Sequence, residues 1–82
     1  MLKRDDLQDL VLKALERLGG RGTVLQVAKE IWQTNEDNLR ASGDIFYTWQ
    51  YDARWAATRL RVKGKIAMAD QSPRGVWELV KP

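Results

Sequence analysis

Leu7, Leu10, Val11, Ala14, Leu15 and Leu18 recur at helical spacing and form one apolar stripe. The spacing predicts a first helix over residues 6–18, with Asp5 as its N-cap and Gln8 three residues on. Gly19-Gly20 stops it, since glycine takes the left-handed cap conformation cheaply. A second stripe, Val24, Val27, Ala28, Ile31 and Trp32, predicts a helix over residues 24–33. Thr23 and Gln26 form a capping box at its start, and the preceding residues 20–23 allow a very short strand. Residues 34–44 are polar and turn-rich, and read as a loop with at most one helical turn anchored by Leu39.

A third helix ends near Gly64 and begins somewhere between Asp44 and Thr48, either of which suits a cap. Ile45, Trp49, Ala53, Ala56 and Leu60 fall on one side of it, the core face. Gln50, Tyr51, Arg54, Thr58 and Arg61 fall on the opposite side, with Trp55 and Val62 on a flank. Beyond Gly64, Ile66 and Met68 alternate with Lys65, Ala67 and Ala69, as in a strand. Residues 71–75 (Gln-Ser-Pro-Arg-Gly) make a turn, and residues 76–80 a second strand. The two strands are expected to form a hairpin that packs on the helices through Ile66, Met68, Trp77 and Leu79. The fold class is therefore α+β: a winged helix-turn-helix, with a three-helix core and a C-terminal β-hairpin wing.

With 82 residues, the chain reads as a single winged-helix domain spanning 1–82, its ordered core covering about residues 5–80. A hydrophobic share of 44% argues against disorder, and four tryptophans provide large core anchors. The formal charge of +3 is a weak pointer to a polyanion, but its distribution says more. Residues 1–48 carry seven basic and eight acidic side chains, whereas residues 49–82 carry seven basic and three acidic. Arg54, Arg59, Arg61, Lys63 and Lys65 follow one another with no acid between Ala53 and Ala69. Such asymmetry marks a nucleic-acid-facing half or, read more plainly, a solvated basic face.

The chain has no cysteine and no histidine. Disulfides, thiolate metal sites and the commonest general base are thereby excluded. Asp5, Asp6, Asp9, Glu36 and Asp37 sit at helix starts or in the polar segment, where capping and dipole complementation account for them. No enzymatic activity, cofactor or metal is expected. Residues 1–6 lack the apolar stretch of a signal peptide, and no run reaches the length needed to span a bilayer. The expectation is a soluble, cytoplasmic protein with no membrane partner.

Residues 55–60, Trp-Ala-Ala-Thr-Arg-Leu, then Gly64, then residues 72–79, Ser-Pro-Arg-Gly-Val-Trp-Glu-Leu, form a pattern. It resembles the N-terminal winged-helix domain of Mrr-type restriction proteins. Ser42-Gly43 followed by aromatics fits the stretch before the third helix. The resemblance is specific over about residues 42–80 and architectural over about 5–80. It implies a module that places DNA before a nuclease domain, in a restriction or modification system. No counterpart of that nuclease half is present, so any cleavage is expected to come from a partner chain. The spacing between Ser42-Gly43 and Trp55 is about one residue longer than the family pattern.

The expected DNA-binding residues are Gln50, Tyr51, Arg54, Thr58 and Arg61 on the third helix, Lys63 and Lys65 after it, and Arg74 in the wing turn. Arg and Gln read base edges in the major groove of double-stranded DNA, Lys neutralises phosphates, and Arg suits a narrow minor groove. Arg21 and the start of the second helix offer a further phosphate contact, although plain capping explains the same residues. The alternative function is a protein-interaction winged helix that uses the aromatic flank near Phe46, Tyr47, Trp55 and Val62.

Overall fold

The computed structural model describes residues 1–80. The chain forms α1 (Asp6–Arg17), β1 (Arg21–Thr23), α2 (Val24–Arg40), α3 (Ile45–Val62), a 3-10 turn (Ala69–Gln71) and β2 (Val76–Glu78). The architecture is α+β: three helices and a two-stranded antiparallel sheet.

The stripe of α1 buries Leu7, Leu10, Val11, Ala14 and Leu15, as its spacing requires. They meet Val27, Ile31 and Leu39 from α2, and Trp49, Ala53, Ala56, Ala57 and Leu60 from α3. The alanines of α3 leave room for the leucines of α1, which packs against it. Ile66 and Trp77 close the core from the C-terminal side. Each fully buried leucine or isoleucine contributes about 1.5–3 kcal/mol. Arg17 ties the end of α1 to α2, donating to Glu30 at 2.8 Å.

The helix starts differ from one another. Thr23 and Gln26 form the capping box expected of them at α2. Asp5 does not cap α1: its backbone is already helical and its side chain makes no cap bond. Asp6 instead reaches back out of the helix, accepting from the Lys3 N–H at 2.8 Å and tying down the turn before it. At α3 neither Asp44 nor Thr48 caps with its side chain. The helix is led in by a tight turn, in which Ile45 donates to the Ser42 carbonyl at 3.3 Å and Phe46 to that of Gly43 at 3.1 Å.

α2 runs seven residues beyond its expected end at Gln33. Asn35 breaks the helical dihedrals (φ −132°, ψ 16°) without ending the helix. Thr34 Oγ1 donates to the Glu30 carbonyl at 2.8 Å, and Asn35 Nδ2 to that of Ile31 at 3.1 Å. Side chains thus bond to the carbonyls of the turn before the kink. Beyond the kink, Leu39 is fully buried, and Arg40 pairs with Glu36 one turn back at 2.9 Å.

The expected hairpin is reduced to one bridge, Ile66 with Leu79. β2 pairs chiefly with β1, in the register Arg21–Glu78, Gly22–Trp77 and Thr23–Val76. After Ile66 the chain folds into the 3-10 turn, where Gln71 donates to the Met68 carbonyl at 2.9 Å. The Ala-Met-Ala-Asp stretch has little strand propensity, so the tight turn wins. Met68, expected in the core, is half exposed. Gly22 is buried opposite Trp77, and an added Cβ there would lie 2.9 Å from the tip of Leu18.

α3 is ended by Gly64 at φ +74°, where Lys65 donates to the Leu60 carbonyl at 2.9 Å and Gly64 to that of Arg61 at 3.0 Å. These two bonds are those of a Schellman cap. No atom crowds the position of a Cβ at Gly64, so Gly64→Ala carries only the left-handed backbone penalty, about 1–2 kcal/mol. Thermal unfolding is expected to fall by roughly 4–8 °C per kcal/mol lost. An unchanged midpoint would refute the capping role.

Candidate nucleic-acid interface

The outer face of α3 is set by the alternation that buries its inner face. Gln50, Tyr51, Arg54 and Thr58 are all exposed. The one acidic residue of the helix, Asp52, is buried, so its exposed charges are all positive. Asp52 lies on the core face, where Thr48 Oγ1 donates to it at 2.8 Å and Arg4 lies 3.4 Å away.

The expected site residues divide into groups. Gln50 and Arg54 line one cavity of about 310 Å³ with Val24, Leu25, Ala28 and Trp77. Arg74 is exposed in the turn beside them, where the carbonyl of Gly75 accepts from the Val24 N–H at 3.1 Å. The turn at residues 71–75 is therefore pinned against the start of α2. Tyr51 is exposed on the other flank of α3, its ring 6.0 Å from the Arg4 guanidinium. Thr58 Oγ1 turns back to the Arg54 carbonyl at 3.3 Å. Arg61 is half-buried and donates to the Ala67 carbonyl at 3.2 Å, bracing the segment after α3.

Lys63 and Lys65 are exposed and lie on the α1 side. With Arg59 and Trp55 they border an open cavity of about 600 Å³, whose far wall carries Asp5 and Asp9. Lys63 Nζ donates to Gln8 at 2.7 Å.

The start of α2 offers an anion little. Thr23 N–H donates to Gln26 at 2.8 Å, Val24 N–H to the Gly75 carbonyl at 3.1 Å and Gln26 N–H to Thr23 at 3.1 Å. Arg21 remains exposed on β1.

The aromatic flank is two separate clusters. Phe46 packs edge-on against Tyr47 and near Trp32, which stacks on Trp49 at 6.1 Å. Trp55 lies apart, half-buried beneath the Arg4 guanidinium at 4.1 Å. Val62 is exposed.

Sequence reasoning missed three participants. Asp52 and Arg4 gave no signal because their pairing spans 48 positions of the chain. Leu25, 63% exposed beside Gln50, was legible as the one large apolar residue of α2 off its stripe. Among the described residues no group of three acidic side chains is placed to hold a metal, and no helix is long and apolar enough to cross a membrane. No family model, curated protein or solved structure matches the chain.

Proposed function

We propose that this chain is a winged-helix module that binds double-stranded DNA, with α3 in the major groove and the wing turn on the flank. The observation that carries the reading is the outer face of α3, which exposes Gln50, Arg54 and Thr58 and no carboxylate. An 18-residue helix is about 27 Å long, and its diameter fits the roughly 12 Å major groove. Arg54 supplies a pair of donors for a guanine edge, and Gln50 a donor and an acceptor for an adenine edge. Arg74, one position from the carbonyl that holds Val24, reaches the neighbouring backbone or minor groove. Lys63, Lys65 and Arg59, which border the α1 side with Asp5 and Asp9, add only a general positive charge at that end of α3. Arg61 acts through the wing segment it braces rather than on a base. By the family resemblance, the module is the targeting part of a restriction or modification system.

The test is a titration of ¹⁵N-labelled protein with a mixed-sequence duplex at low and moderate salt. Shifts are expected at residues 50–61 and 71–75, weakening as salt rises because each counterion released into saltier solution gains less entropy. Gln50→Ala combined with Arg54→Gln removes two contacts of about 1–3 kcal/mol each, so affinity is expected to fall roughly 30-fold or more. Both side chains are exposed, so circular dichroism should not change. Full affinity in that folded variant, or no salt-sensitive shift in the parent, would sink the reading.

A further inference from the structure

An apolar groove runs between α2 and the first half of α3. Two cavities, of about 310 and 420 Å³, share Leu25, Ala28 and Gln50 and so form one trough. Trp77 lines one end, and the stacked Trp32 and Trp49 line the other. Leu25 stands within it largely in solvent. Its charged lining is of one sign: Lys29 from α2 and Arg54 from α3, with no carboxylate in either cavity.

We infer that this groove docks a short, acidic amphipathic helix from a partner protein. An apolar helix face removes Leu25 and the tryptophan walls from water, which is favourable by about 25 cal/mol per Å². Carboxylates flanking that face meet Lys29 and Arg54, which are exposed and have no carboxylate beside them in the trough. A duplex alone would satisfy the cations but set polar base edges against the apolar walls. A second copy of this chain is a poor occupant, because the apolar stripes of α1 and α2 are already spent on its own core. From Val24 to Trp32 the groove wall rises about 12 Å, two turns of helix. That length accepts anchors at i, i+4 and i+7. Gln50 and Arg54 belong both to this groove and to the proposed DNA face, so the peptide and the duplex exclude one another; this last consequence rests on the DNA reading.

The experiment is selection of a phage-displayed random 16-mer library on the full chain, followed by titration of the best synthetic peptide. Enriched peptides are expected to carry apolar residues at i, i+4 and i+7 and a net charge of about −3 or below. Leu25→Ser and Lys29→Glu, both at exposed positions, should each weaken the peptide at least tenfold, with unchanged circular dichroism. Amide shifts should fall on residues 24–32 and 46–54. Enrichment no better than an empty support overturns the inference. So do neutral or basic winners, or a peptide indifferent to both substitutions. If the duplex alone shifts Leu25 and Trp32, and no peptide is enriched, the groove belongs to nucleic acid and the inference fails. The duplex titration on the same protein separates the two readings: absent DNA binding beside a selected acidic peptide sinks only the DNA reading.

Discussion

Leu39→Ala is expected to cost the domain about 2–5 kcal/mol, as large-to-small changes in a packed core do. Leu39 is fully buried, although it follows a kink and stands in the most polar stretch of the chain. The helical turns after Asn35 are held by few other apolar contacts: Asp37, Asn38 and Arg40 are exposed. A domain of this size has a total stability of about 4–12 kcal/mol, so the substitution removes a large part of it. Chemical denaturation should show an earlier midpoint with a similar slope. Hydrogen exchange at residues 36–40 should quicken more than in the first half of α2. A loss below 1 kcal/mol would show that this segment is a surface appendage and not part of the core.

Trp49→Ala is expected to be the most destabilising single change, at about 3–5 kcal/mol. Trp49 is only 6% exposed, and it stacks on Trp32 at an interplanar angle of 14°. Its truncation takes the largest anchor from the contact of α2 with α3 and opens the wall of the groove. Trp49→Phe keeps an apolar ring and should recover more than half of the loss. The two variants separate packing from function. Trp49→Phe should still bind both duplex and peptide, with the peptide weakened because one wall of its trough has receded. Equal stability of Trp49→Ala and the parent, read by thermal unfolding, would contradict the assignment of Trp49 to the core.

Of the candidate site, the outer face of α3 was legible because a helix with one apolar stripe must turn its other residues outward. Gln50, Tyr51, Arg54 and Thr58 are exposed for that reason. Periodicity does not say which outward residues are neighbours across elements. Gln50, Arg54 and Arg74 gather near the start of α2, whereas Lys63 and Lys65 turn toward α1. Nor does it show that Arg61 is engaged with the Ala67 carbonyl, or that Phe46 and Trp55 belong to different clusters.

The sequence by itself determined the features whose energetics are local. The stripe of α1, the Thr23–Gln26 capping box, the glycine stop at Gly64 and the inner face of α3 depend on residues within a turn or two of one another. The tertiary structure decided the rest. β2 pairs chiefly with β1 and only at its end with residues 65–67, because a strand edge is satisfied by whatever edge the helices bring beside it. α2 continues past Asn35 because burying Leu39 against the core outweighs the turn preference of its polar neighbours. Asp52 is held in the interior by Arg4 and Thr48, and Leu25 is left in solvent, because packing of whole elements chooses which side chains lose water. Such choices depend on contacts between distant parts of the chain, and a local pattern carries no record of them.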